Sequence, residues 1–156
     1  ATSHSKDLGL AGERIGYVAV NPADPGKGNL MDALTFSLRT LGFVNAPALM
    51  QRVVANIQRA TVDIDVYRAK RDLLYGALTD IGYQCVKPDG AFYLFPTSPI
   101  PDDTEFVRQL QLELVLVVPG TGFGTPGYFR ASYCVDNWVL EGSIEGFRKT
   151  FAQINS

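Results

Sequence analysis

The feature that most limits the possible folds is a change of hydrophobic pattern at Gly82. Before it, apolar residues recur at helical spacing in three successive segments. These predicted helices span residues 30–41, 47–60 and 63–81. Two further helical patterns follow, at residues 104–113 and 137–154. The order predicts an α/β chain that divides near residues 65–80, with helices and one strand first and a small mixed unit second.

Short apolar runs between turn sequences predict the strands. They cover residues 15–20, 83–86, 91–95, 115–118 and 128–133. Residues 1–14 are small, polar and rich in glycine, which predicts a loop.

The composition excludes several classes of protein. Apolar residues make up 46% of the chain and charged residues 19%, which is typical of a globular protein with a sizeable core. The net charge of −2 argues against binding to nucleic acid. No apolar run approaches the roughly 20 residues of a membrane span, and no signal-peptide pattern is present. One histidine and two cysteines outside a CxxC arrangement argue against a metal site. We therefore expect a cytoplasmic protein without a membrane partner.

The most informative motif lies at the start of the chain, where Ser3-His4-Ser5-Lys6 is followed by Gly12, Arg14 and Gly16. Hydroxyl groups and a guanidinium are groups that hold a phosphate, and a lysine amine can attack an aldehyde. This segment resembles the lysine motif of class I/II aminotransferases, Ser-x-Ser-Lys followed by Gly-x-Arg-x-Gly, with the same spacing from Lys6 to Arg14.

The resemblance implies a role for each motif residue. Lys6 would be the catalytic residue, which forms an imine with pyridoxal 5'-phosphate and then moves the proton at the substrate α-carbon. Ser3 and Arg14 would bind the cofactor phosphate, while Ser5 either assists them or only holds the loop. The side chain of His4 is expected to point away from the lysine.

A second set of matches lies in the last third of the chain. Residues 88–93 (PDGAFY) resemble a strand of the small domain in the same family, and residues 119–130 (PGTGFGTPGYFR) resemble its PG-x-x-FG segment with the following arginine. The resemblance implies that Arg130 grips the α-carboxylate of the substrate through two hydrogen bonds, a geometry that lysine cannot reproduce. The implied substrates are an amino acid and a 2-oxo acid.

The resemblance also implies an architecture, the fold-type I arrangement of pyridoxal-phosphate enzymes. Residues 1–65 would be the end of the large cofactor-binding domain, and residues 66–156 the interdomain helix and the small C-terminal domain. The family residues that hold the cofactor ring precede the lysine. We therefore expect a C-terminal fragment that is inactive alone, binds the cofactor weakly or not at all and is prone to self-associate. The parent would be a homodimer.

Three functional hypotheses follow. The first is a transaminase parent, and the second is a lyase or decarboxylase that uses the same lysine and arginine. The third is a non-catalytic module, such as the aminotransferase-like effector domain of a transcription regulator. The sequence leaves the donor amino acid open, since Arg39, Arg52 and Arg59 lie in helical patterns without a recognisable motif.

Overall fold

The structure, a computed structural model, describes residues 1–155. The chain forms two compact units, Ala1–Val62 and a second unit that begins at Asp63. Each combines helices with strands, as the α/β pattern of the sequence predicts. Within the described residues, no helix is both long enough and apolar enough to cross a bilayer.

The first unit contains a two-stranded antiparallel sheet and three helices. The elements are β1 (Thr2–Ser3), α1 (His4–Asp7), β2 (Gly16–Tyr17), α2 (Lys27–Thr40) and α3 (Ala48–Asn56). The register of the sheet pairs Thr2 with Tyr17 and Ser3 with Gly16. The prediction of a loop over residues 1–14 was wrong at α1, because the hydroxyl of Ser3 caps this short helix by accepting a hydrogen bond from the Ser5 amide.

The two longer helices of this unit bury little apolar surface. None of the residues of α2 is buried, and α3 buries only Val54. Large apolar side chains of α2 and of the segment after it are exposed, namely Leu30, Met31, Phe36, Leu38, Leu41 and Phe43. Helical periodicity therefore predicted both helices, although no residue of the apolar stripe of α2 is buried within the described chain.

The second unit is built around a three-stranded sheet. Its elements are α4 (Ile64–Ile81), β3 (Tyr93–Leu94), α5 (Asp103–Leu112), β4 (Val118–Pro119), a 3₁₀ turn (Gly120–Phe123), β5 (Phe129–Ser132) and α6 (Asn137–Ile154). The strand order is β3-β5-β4, and both pairs are antiparallel. Because side chains alternate along a strand, Phe129 and Ala131 enter the core, while Arg130 lies on the opposite face.

The core of this unit is centred on Tyr83. Its ring packs against Phe106, Phe129, Phe147 and Phe151 at centroid distances of 4.8–6.1 Å. The Tyr83 hydroxyl donates a 3.0 Å hydrogen bond to the carbonyl of Phe147, which satisfies the polar group inside the core. Burial raises the pKa of Tyr83 above its ordinary value.

Several strands are shorter than the sequence predicts. No strand forms over residues 83–86, because Tyr83 serves as the core anchor and the segment after it makes one backbone hydrogen bond, from the Thr97 amide to the carbonyl of Gln84. The run at 115–118 pairs only from Val118 onward. Each of these two runs buries its first residue, Tyr83 or Val115, whereas Val86 and Leu116 are exposed. The extent of burial and pairing therefore depended on neighbours distant in sequence.

Candidate functional site

The predicted lysine lies on a short, capped helical turn. Ser3 is the N-cap of α1, and the Ser5 amide donates a 3.2 Å hydrogen bond to its hydroxyl. The hydroxyls of Ser3 and Ser5 lie 2.8 Å apart. Lys6 follows directly in the same turn and is exposed. The turn therefore brings two hydroxyl groups together immediately before the lysine.

The side chain of His4 contacts the end of this turn. It is buried, and its Nδ1 lies 3.1 Å from a carboxylate oxygen of Asp7. The carbonyl of Asp7 accepts a 2.9 Å hydrogen bond from the Val62 amide, and the His4 ring lies 5.9 Å from that of Tyr17. His4 thus helps to anchor the lysine turn to the rest of the first unit.

Arg14 sits in an unusual backbone conformation just before β2. Its φ of 52° lies in the left-handed region, which a residue with a Cβ seldom adopts. The Arg14 side chain is exposed, and its Nη1 donates a 2.9 Å hydrogen bond to the carbonyl of Ala11. No hydrogen bond within residues 1–155 joins Arg14 to Ser3 or Ser5. The fold places these groups in one unit without linking the arginine to the serines.

The glycine that closes the motif has a steric role. A Cβ on Gly16 would lie 2.3 Å from the carbonyl oxygen of Thr2 and 3.0 Å from the Cα of Ser3. Only glycine therefore allows β2 to pair so closely with the strand that leads into the lysine turn.

Arg130 lies on β5 in contact with two aromatic rings. Its Cζ lies 4.2 Å from the ring centroid of Phe123 and 4.4 Å from that of Tyr93. Both rings are attracted to the cation and limit rotation of the guanidinium. The N–H donors lie in the guanidinium plane, so their outer edge can still bind a planar anion.

Arg130 also differs from the other arginines in its ion pairing. Arg71 and Arg130 are the half-buried arginines of the described chain, and the others are exposed. Arg71 pairs with Asp72 at 2.8 Å, whereas no carboxylate within residues 1–155 lies within 4.0 Å of the Arg130 guanidinium nitrogens. A half-buried cation without a carboxylate partner is suited to an anionic ligand.

The sequence reasoning missed one buried charged group in the second unit. Asp103, the first residue of α5, is 2% exposed and accepts hydrogen bonds from Thr121 and Gly127. A signal was available in the sequence, since α5 needs one N-cap, Asp102, and a second aspartate follows it directly. Burial by itself raises the pKa of Asp103, but the hydrogen bonds from Thr121, Gly127 and Thr104 outweigh it and hold this pKa below its ordinary value.

Comparison with known proteins identifies the family of this chain. The model of the family "Aminotransferase class I and II" matches residues 1–145. The chain therefore belongs to this aminotransferase family.

Individual relatives agree with that assignment. The chain is 35% identical to the aspartate/prephenate aminotransferase of Thermus thermophilus over 96% of its own length and 40% of the relative. It is 33% identical to the aspartate aminotransferase of Bacillus subtilis, covering 93% of this chain and 39% of the relative. A crystal structure of an aminotransferase from Eubacterium rectale superposes with a TM-score of 0.86 at 45% identity, over 99% of this chain and 39% of that one. These matches confirm the predicted fold class. The chain spans about two fifths of the length of these relatives.

Proposed function

We propose that this chain is the C-terminal part of a pyridoxal-phosphate-dependent aminotransferase, which transfers an amino group between an amino acid and a 2-oxo acid. The observation that carries the proposal is the pair of hydroxyls of Ser3 and Ser5, 2.8 Å apart directly before Lys6, in a chain of this family. The names of the relatives favour transamination over the lyase and regulator hypotheses.

The donor set at the lysine turn fits a phosphate ester. Two hydroxyl groups can donate to phosphate oxygens, and Arg14 supplies a permanent positive charge with several N–H donors. The left-handed φ of Arg14 is a strained conformation of the kind that persists at ligand sites. We assign Ser3, Ser5 and Arg14 to the phosphate of the cofactor. We assign Lys6 to the aldehyde of the cofactor.

The cofactor supplies an aldehyde and an electron-withdrawing ring. The amine of Lys6 would hold that aldehyde, and it would also remove and return the proton at the substrate α-carbon. The amine must be neutral for either task, and Lys6 is exposed in the described chain. We therefore expect that the rest of the parent covers the lysine and that this chain alone is inactive.

Arg130 binds the carboxylate of the substrate. Its outer edge can donate two parallel hydrogen bonds to the α-carboxylate of an amino acid or a 2-oxo acid, which fixes the orientation of the α-carbon. Phe123 and Tyr93 hold the plane of the guanidinium. Because both substrates carry this carboxylate, one arginine can serve both halves of the reaction.

The remaining parts of the proposal concern the parent. Residues 1–65 form the end of its large cofactor-binding domain, and residues 66–156 form its interdomain helix and small domain. The parent is a cytoplasmic homodimer. A single species of twice the monomer mass in light scattering would support this assembly, and a monomer with full activity would contradict it.

The decisive experiment for the function is reduction of the protein with borohydride in the presence of pyridoxal phosphate, followed by peptide mass mapping. It is carried out on this chain and on the longer parent. We expect label on Lys6 in the parent, together with transamination of an amino acid. The parent variant Lys6→Ala should lose both the label and the activity.

Lys27 provides a matched control for this labelling. It is a lysine of the same unit whose Nζ donates a hydrogen bond to the carbonyl of Pro22. Lys27→Ala should leave label and activity unchanged. Absence of label on Lys6 in an active parent would refute the lysine assignment, and a transamination rate from this chain alone would refute its proposed inactivity.

A further inference from the structure

The carboxylate of Asp103 ties both ends of one loop together. Its Oδ2 accepts hydrogen bonds from the amides of Thr121, at 2.9 Å, and Gly127, at 3.0 Å. Its Oδ1 accepts a 2.8 Å hydrogen bond from the Thr121 hydroxyl. We call residues 121–127 the anchored loop. Two amides six positions apart thus converge on a single oxygen atom.

Burial of the Asp103 carboxylate is unfavourable unless its hydrogen bonds to the loop compensate for the lost hydration. The side chain is buried, and no lysine or arginine within residues 1–155 lies within ion-pair distance of it. Burying an unpaired carboxylate is unfavourable unless hydrogen bonds replace its hydration. Its partners in the anchored loop supply these bonds, so the charge and the loop stabilise each other.

The anchored loop carries the ring that covers Arg130. Phe123 lies between the two tethered amides, and its centroid is 4.2 Å from the Cζ of Arg130. The loop also closes on itself, since the Thr125 amide donates a 3.0 Å hydrogen bond to the carbonyl of Gly120. A Cβ on Gly120 would lie 2.2 Å from the Thr125 carbonyl oxygen, so this closure leaves no room for a side chain.

We propose that Asp103 is a positioning residue, which fixes the anchored loop so that Phe123 holds the guanidinium of Arg130 in the orientation that binds a carboxylate. This inference rests on the proposed function, in which Arg130 binds the α-carboxylate of the substrate. Asp103 touches neither substrate nor cofactor in this scheme, and acts on substrate affinity through the loop.

Two variants of Asp103 separate its shape from its charge. Asp103→Asn keeps one oxygen for the two amides, and its new NH₂ group can donate to the Thr121 hydroxyl, so the loop should remain partly ordered. Asp103→Ala removes every acceptor. Asp102→Ala is the matched control, because Asp102 caps the same helix through the amides of Thr104 and Glu105 without touching the loop.

The first measurement is amide hydrogen exchange on this chain. We expect Asp103→Ala to accelerate exchange at Thr121 and Gly127 about tenfold or more, since both amides lose their acceptor and exchange rises with local opening. Asp103→Asn should give a smaller increase, and Asp102→Ala should leave both amides protected. Protection that survives in Asp103→Ala would overturn the inference.

The second measurement is steady-state kinetics of the cofactor-loaded parent. We expect Asp103→Asn to raise KM for the amino acid by about threefold to tenfold, the range of one weakened interaction, with little change in kcat. In an Arg130→Lys background the same substitution should change KM less than about twofold, because the guanidinium that it positions is gone. A purely structural role would give equal effects in both backgrounds and would overturn the inference.

The two ideas can fail separately. If Arg130→Lys raises KM but neither Asp103 variant does, the proposed function stands and the positioning role is wrong. If Arg130→Lys leaves KM unchanged, the carboxylate role of Arg130 is wrong and the positioning role falls with it.

Discussion

Phe123 covers one face of the Arg130 guanidinium, with 4.2 Å between the ring centroid and Cζ. The same ring lies 6.3 Å from Phe95, edge to face, so it is itself supported by a second aromatic side chain. Within residues 1–155, the Arg130 guanidinium therefore contacts aromatic rings and no carboxylate, which leaves its hydrogen-bonding edge available.

The first prediction concerns this stacking. Phe123→Leu keeps the apolar bulk but removes the attraction between ring and cation, which contributes about 0.5–2 kcal/mol at such sites. We expect the affinity of the parent for a carboxylate inhibitor to fall by about threefold to tenfold, as measured by calorimetry. Phe43→Leu, a matched change at an exposed position, should have no effect. If Phe123→Leu and the unchanged protein bind the inhibitor with equal affinity, the ring of Phe123 does not orient Arg130 for carboxylate binding.

The second prediction compares two glycines of α6. A Cβ on Gly146 would lie 2.5 Å from Cγ2 of Val115, whereas a Cβ on Gly142 would meet nothing within 4 Å. Gly146→Ala should lower the free energy of unfolding by about 1–3 kcal/mol through overpacking. Gly142→Ala should raise it by up to about 1 kcal/mol, because alanine favours the helix. Urea unfolding of both variants tests this, and a loss of stability in both would contradict the packing argument.

The third prediction concerns the end of α5. Leu114 has a φ of 61° and is 90% exposed. The amides of Leu114 and Val115 donate to the carbonyls of Gln111 and Leu110, a pattern in which the left-handed position is usually glycine. Leu114→Gly should therefore raise the melting temperature, because relief of a strain of about 1–2 kcal/mol exceeds the entropic cost of glycine.

The control for this prediction is Leu112→Gly. Leu112 is also exposed but belongs to the helix itself. The same substitution there should lower stability by up to about 1 kcal/mol. A lower melting temperature for Leu114→Gly would mean that its exposed side chain stabilises the fold despite the strain.

The fourth prediction concerns acid. Burial raises the pKa of Asp103, but its hydrogen bonds outweigh this and hold the folded pKa below the ordinary value. A lowered folded pKa stabilises the protein above the unfolded value of about 3.9, and this contribution is lost as the pH falls through the folded pKa. In urea unfolding at pH 7 down to pH 2, the stability difference between the unchanged protein and Asp103→Asn should therefore shrink as the pH falls. A difference that stays constant would show that ionisation of Asp103 does not stabilise the fold.

Local patterns in the sequence determined much of this protein. The periodicity of residues 137–154 predicted α6 with the bounds that the structure has, and the pattern over residues 63–81 predicted α4, of which Asp63 is the N-cap. Helix formation depends on neighbours within four residues, so the sequence alone contains the signal. The lysine motif and the segment around Arg130 likewise identified the family, which the comparisons confirmed.

Only the tertiary structure decided the environment of those residues. The sequence pattern predicts that Tyr83 starts a strand. In the structure it is the centre of an aromatic core, because its partners lie more than 20 residues away in the chain. Asp103 and Gly127 are 24 positions apart, yet their hydrogen bond helps to set the loop that covers Arg130. Such contacts depend on how helices and strands pack, which no periodicity within a single segment encodes. The sequence thus named the candidate residues, and the packing of distant segments fixed what surrounds them.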